Sequence, residues 1–277
     1  QKNLPLRDNT PKVLEPSADG TVTYGSDLVS IDASNTSEGY VMVKYTGNNP
    51  KVKLQIQTPD DNKYTYLLSQ EKIFETFPLP SGDGTYTLNV YENVVDDKYS
   101  VACSQDIDVT IRDEFLPFLY PNQYVSFTAG SKTVALGEEV SEGASTDLDV
   151  VSNIYHYVTE HIAYDTDKAT SVTYGYLPDI DETITTGKGI CFDYASVMSS
   201  MLRSQQIPTK LEVGYAGEAY HAWISVYLED TGWVDNLIEF DGENWSLMDP
   251  TFAAGGSNKA LKEFIGDGSN YVVKYSY

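Results

Sequence analysis

The chain has 277 residues, enough for one large domain or two of ordinary size. With 41% hydrophobic residues and 22 tyrosines it can bury a sizeable core, which excludes long disorder outside a polar start. The 41 acidic residues outweigh 18 basic ones, and a formal net charge of −23 repels nucleic acid and anionic membranes, so neither is expected as a partner.

Residues 1–20 read as a flexible N-terminal segment. From about Thr21 to Arg112 the pattern is strand-like: "YVMVKYTG", "KVKLQIQT", "YTYLLS", "TYTLNVYE" and "IDVTIRD" alternate and are rich in Val, Ile, Thr and Tyr. Turn signals such as "TGNNP", "TPDDN" and "SGDGT" separate them. Short strands at this spacing, with no helical pattern between them, predict an antiparallel, immunoglobulin-like β-sandwich over 21–114. A spacer or support module is the simplest reading of it. "FLPFLYPNQYVSF", Phe115–Phe127, is too apolar and aromatic for a flexible linker and is expected to pack between the halves.

Residues 115–277 change character. Leu148, Val151, Tyr155, Val158 and Ile162 recur at steps of three and four, predicting a helix face with Thr146 or Asp147 as its N-cap. A loop is expected over "AYDTDKATSVTYGYLPDIDETITTGKG", then a helix from Cys191 that stops before Pro208. Strands "KLEVGYA", "YHAWISVYL", "LIEF" and "WSLMD" follow, then a helix "SNKALKEFI" and a closing strand "NYVVKYSY". Helices followed by a meander of strands describe an α+β domain.

No apolar run approaches the length of a membrane span, so no integral membrane segment is expected. Gln1 is not a natural start; a leader or anchor is expected to have been removed, and the protein is expected outside the cell or on its surface. Cys103 and Cys191 make neither a disulfide framework nor a zinc set, and no metal or cofactor is expected. His156 and His161 are five residues apart, the wrong step for a shared metal face, and "DIDE" lacks the spacing of a calcium loop.

Cys191 shares an i, i+4, i+7, i+11 stripe with Ala195, Met198 and Leu202, as a buried small hydrophobe would. It also stands in the first helical turn, where unpaired N–H groups and the helix dipole favour a thiolate. "GKG" before it permits close backbone approach. In "YHAWISVYL" alternation groups His221, Trp223, Ser225 and Tyr227, and a histidine there can take the thiol proton and return it to a leaving amine. "WSLMDPTF" places Asp249 at a strand end, extended by the following proline; taken alone it is a turn.

"GICFDYASVMSSMLRSQQIPTK", "GYAGEAYHAWISVYL" and "WSLMDPTF" together resemble, in order, the three motifs of the transglutaminase-like superfamily of papain-like cysteine enzymes. The spacings are 30 residues from Cys191 to His221 and 28 to Asp249, and the resemblance spans roughly 147–252. It implies a fold of the α+β class, an N-terminal sandwich followed by a transglutaminase-like domain, as in exported bacterial proteins. It implies Cys191 as nucleophile, His221 as general base and acid, and Asp249 as orienting acid. Such an enzyme would act on peptide, protein or cell-wall amides through a thioester, with hydrolysis slightly favoured over transamidation. A noncatalytic surface or scaffold protein on the same fold is the alternative. Related enzymes often supply an upstream Trp or Gln to the oxyanion site; between Asp147 and Cys191 there is neither, so Tyr174 or Tyr176 is the candidate donor, with packing the simpler role for both. Trp223 is expected to border a narrow cleft. "EDTGWVDNLIEFDGEN" reads as added strands around a "DGEN" turn.

Overall fold

A computed structural model describes residues 4–216, 219–248 and 271–277, with the backbone alone at 215–216, 219–221 and 271–274. The chain divides into two compact units, Glu15–Gln123 and a second made of Gln1–Leu14 with Tyr124–Tyr277.

The first unit is two four-stranded antiparallel sheets. One runs in the order β1 (Thr23–Gly25), β2 (Val29–Asp32), β3 (Tyr40–Tyr45), β6 (Glu75–Pro78). The other runs β5 (Lys63–Leu67), β4 (Val52–Gln57), β7 (Gly84–Val95), β8 (Lys98–Val109). Alternation is the cause. In β4, Val52, Leu54 and Ile56 are buried and the residues between them half-buried. Ile31, Val41 and Val43 supply core residues from the first sheet, Tyr86, Leu88 and Val90 from the second. Each such aliphatic contributes about 1.5–3 kcal/mol on burial. The stretch expected to join the halves is shared. Leu116 and Phe118 are buried and Tyr120 packs on Tyr40 in this unit, while Tyr124 packs edge-on against Phe192 in the other.

The second unit has α1 (Lys132–Ser141), α2 (Asp147–His161), α3 (Thr166–Ser171), α4 (Ile180–Thr186) and α5 (Cys191–Ser204). A two-residue parallel ladder joins β9 (Ala163–Tyr164) to β10 (Lys188–Gly189). The main sheet is antiparallel, in the order β14 (Trp245–Leu247), β13 (Gly232–Phe240), β12 (Ala219–Leu228), β11 (Thr209–Ala216), β15 (Tyr271–Ser276). Helix α5 packs on α1, α2 and α4 and on β11 and β12. It is buried almost all round, where the stripe at Cys191 predicted one inward face. Its last turn carries Arg203, fully buried, whose guanidinium donates to the carbonyls of Thr209 and Tyr277 at 2.8 and 2.6 Å.

Several details differ from the sequence reading. Thr146 caps α2 through a reciprocal pair with Asp149, but the buried face is Val150, Val151, Ile154 and Val158, leaving Leu148 and Tyr155 at its margin. The stretch read as loop contains α3 and α4, each begun by an aspartate, Asp165 and Asp179, that accepts a first-turn N–H. "DIDE" is therefore a helix start. The N-terminal segment read as flexible is tied down in its described part. Arg7 pairs with Asp147 at 2.5 Å and donates to Gln205, and the Lys12 N–H donates to Ser204. The "DGEN" turn closes as expected, on Asp241 accepting from Glu243 and Asn244. The helix expected at 257–265 lies outside the described residues. Among the described residues no helix is long and apolar enough to cross a membrane.

Candidate active site

The approach to Cys191 is set by two glycines. Gly187 ends α4 in the left-handed region, φ 65°, with its N–H on the Thr183 carbonyl. Gly189 has Asp193 where a side chain would go: a Cβ there would lie 2.7 Å from the Asp193 Cβ. Between these glycines the chain pairs with β9, through Ala163 N–H on Gly187 O at 2.8 Å and Asp165 N–H on Gly189 O at 2.9 Å. Ile190 is extended and Cys191 is the first helical residue. Ile190 has no oxygen to cap the helix, so Asp193 reaches back and accepts the Ile190 N–H at 2.8 Å.

Asp193 is fully buried and takes two more partners. The Tyr176 hydroxyl donates to it at 2.5 Å and Lys168 Nζ pairs with it at 3.1 Å. Lys168 also lies over the Tyr176 ring, 4.7 Å from its centroid. Burial pulls the Lys168 ammonium down, but Tyr176 and Asp193 outweigh it and hold it above its ordinary value. This ion pair ties α3 and the Tyr176 loop to the turn carrying the thiol.

Cys191 is 8% exposed and packs with Ala222 and Phe240, with Trp245 against the same cluster. Aromatic rings continue from there: Tyr164 stacks on Phe240 at 6.0 Å, Phe240 meets Trp245 at 5.2 Å, and Trp245 stacks on Tyr194 at 5.7 Å. Burial pushes the Cys191 thiol up to about 12; the Phe192 and Cys191 N–H groups at the helix start pull it down, and the Asp193 carboxylate adds to the rise. The helix start favours a thiolate without overcoming its desolvation. A proton acceptor is needed for this sulfur to attack at neutral pH.

The other expected site residues fall as follows. His221 lies in β12 opposite Gly214, and the next residue, Ala222, is the one packed on Cys191. Asp249 lies outside the described residues, two positions beyond the end of β14. Trp223 is 0% exposed, set between Glu212 of β11 and Glu239 of β13, so it is a core residue of the sheet. Tyr176 gives its hydroxyl proton to Asp193, and Tyr174 is 69% exposed. His156 and His161 are exposed; the His161 ring stacks on Tyr157 and its Nδ1 meets the Tyr157 carbonyl at 2.8 Å. The sequence reading missed the roles of Tyr164, Phe240, Trp245 and Asp193. The three-residue step from Ile190 to Asp193 was the available signal for its capping role.

Residues 134–236 match the model of the transglutaminase-like superfamily. The chain carries a transglutaminase-like domain. The match includes Cys191 and His221 and ends before Asp249. Among curated proteins, the UPF0252 protein MJ1282 of Methanocaldococcus jannaschii is 25% identical over 253 residues, covering 81% of this chain and 69% of that one. Among solved structures, a candidate cysteine protease of Cytophaga hutchinsonii is 13% identical with a TM-score of 0.40, covering 93% of this chain and 80% of that one. A candidate protease of Parabacteroides distasonis is 12% identical with a TM-score of 0.34, covering 80% and 68%. Red sea bream transglutaminase is 13% identical with a TM-score of 0.32, covering 76% and 50%.

Proposed function

We propose that the transglutaminase-like domain is a cysteine-dependent enzyme acting on amide bonds of peptides, proteins or cell-wall material. The observation that carries this reading is the placement of Cys191. Cys191 sits at the start of a buried helix, where the first N–H groups have no helical partner, and packs on the residue that follows His221. In the proposed cycle the imidazole of His221 takes the thiol proton as sulfur bonds to the amide carbonyl. The carbon–nitrogen bond then breaks, the imidazole protonates the departing amine, and a thioester remains. Water attacks the thioester, giving back the thiol and a carboxylic acid; an amine in its place gives transfer. Asp249 holds the imidazole in the productive tautomer. Hydrolysis is the preferred outcome, because transfer needs a second amine site and exclusion of water.

A second reading is favoured by one observation, the thiol raised to about 12. A sulfur that stays protonated suits a noncatalytic scaffold on the same fold. Mass-spectrometric trapping separates the two. The protein is incubated with a panel of peptide and cell-wall amides, with and without a primary amine. An acyl adduct of Cys191 and cleaved product support the enzyme. No adduct and no product under reducing conditions support the scaffold.

A further inference from the structure

We infer that the Tyr164 hydroxyl, together with the Cys191 N–H, donates a hydrogen bond to the oxyanion formed when Cys191 attacks a carbonyl. The inference rests on the proposed cysteine chemistry and names a residue that chemistry needs. A tetrahedral intermediate carries its negative charge on the former carbonyl oxygen, next to the attacking sulfur. Fixed donors aimed at that oxygen are a large source of rate in acyl transfer. The Cys191 N–H, at the first position of the helix beside the sulfur, is one such donor. A second has to come from a side chain at the same edge of the site.

Four observations single out Tyr164. Its backbone pairs with Gly189, two residues before Cys191, and the bonds from Ala163 to Gly187 and Asp165 to Gly189 hold it on both sides. Its ring stacks on Phe240 at an interplanar angle of 14°, and Phe240 packs in one cluster with Cys191, so ring and thiol share a neighbour. Tyr164 is 43% exposed, so its phenol can be reached from solvent. Its hydroxyl has no hydrogen-bond partner among the described residues, unlike that of Tyr194, which donates to the Ile162 carbonyl. Burial, and after it the charge of Cys191, raise the phenol above its ordinary value, so it keeps the proton it has to donate.

The two tyrosines expected from sequence are placed less well. The Tyr176 hydroxyl is committed to Asp193. Tyr174 is the most exposed of the three.

The test uses Tyr164→Phe in the full chain, which removes one oxygen and keeps the stacking on Phe240. Two probes are compared. Acetyl-glycyl-glycinal forms a hemithioacetal: sulfur bonds to the aldehyde carbon, and the aldehyde oxygen becomes the tetrahedral oxygen and takes up the thiol proton. Iodoacetamide alkylates the same sulfur with loss of iodide and forms no oxyanion. The expected result is aldehyde binding weakened about 10- to 100-fold in the variant, iodoacetamide labelling of Cys191 within about twofold of wild type, and an unchanged thermal midpoint. Equal aldehyde affinity in wild type and variant overturns the assignment of Tyr164 and leaves the enzyme reading standing. Equal losses with both probes also overturn it, since they would mean that the variant disturbs the thiol itself. Wild-type protein that fails to bind the aldehyde overturns the enzyme reading and this inference with it.

Discussion

Replacing His221 by alanine should change the reactivity of Cys191 by orders of magnitude while leaving Cys103 alone. Both thiols are 8% exposed, and burial raises both, Cys191 to about 12. For Cys191 the rise from 9.0 to about 12 represents about 4 kcal/mol against ionisation. At pH 7 such a thiol is ionised in only about one molecule in 10⁵, against a few per cent for a free cysteine. An imidazole that accepts the proton reverses this, because a paired thiol titrates at roughly 3.5–7.5. Iodoacetamide rates read peptide by peptide from about pH 5 to about pH 10 give the comparison. Wild-type Cys191 should react near neutrality. In His221→Ala its rate should fall about 10³-fold or more and recover only as pH climbs toward 12. Cys103 should label slowly in both proteins. The pairing of Cys191 with His221 is falsified if the wild-type profile at Cys191 already rises only in alkali and superimposes on that of the variant.

Asp193→Ala removes the acceptor for Ile190 and Tyr176 and the partner of Lys168. It should cost about 2–3 kcal/mol by urea titration, below the range for a deeply buried pair because the Lys168 side chain reaches solvent; a loss under about 0.5 kcal/mol, the usual size for surface substitutions, would contradict the hub described. Gly189→Ala should cost about 1–3 kcal/mol, because its Cβ has no room beside Asp193, whereas Gly130→Ala, whose Cβ would meet only Thr128 Oγ1 at 3.9 Å, should be nearly neutral. Burial holds Tyr124, Tyr176 and Tyr194 at about 12, above an unfolded value of about 10. Their contribution to stability is whole below about pH 10 and is lost as pH rises toward 12; urea midpoints followed alongside tyrosinate absorbance should decline over that interval, and a flat profile would refute the sign.

The sandwich was legible because strands with one face inward write that fact every second residue, as β4 does. The second unit was legible where apolar residues carry the packing, as on α2, and illegible where small ones do. Helix α1 went unpredicted because the face it buries includes Thr133, Gly137 and Ser141, and a Cβ on Gly137 would come within 3.3 Å of the Met201 carbonyl. On α2 the register slipped because Tyr155 is long enough to join an apolar stripe in the sequence while its ring sits at the margin. The thiol and the histidine were singled out by motif order. Tyr164 was not, since a ladder of two residues has no period to read and the pairing of β9 with β10 spans 25 positions, from Tyr164 to Gly189. The role of Asp193 went unnoticed because its partners, Lys168 and Tyr176, lie on a stretch that reads as loop.

The Arg7–Asp147 pair and the Lys12–Ser204 bond make the second unit a discontinuous piece of chain. Its contacts join positions 140 apart in the case of Arg7 and Asp147, across the whole length of the sandwich. A ribosome therefore emits one edge of this unit first and releases its remainder only after 15–123 has been made. The sandwich, whose residues are consecutive, can fold in that interval and shorten the loop that must close, which lowers the entropy of bringing Arg7 to Asp147. A fragment starting at Tyr124 would keep the thiol, the helix and the sheet yet leave Asp147, Ser204 and Gln205 facing solvent where residues 7–12 had been. In sequence the sandwich is thus an insertion between the two parts of the second unit, and its consecutive residues can fold before the later part is made.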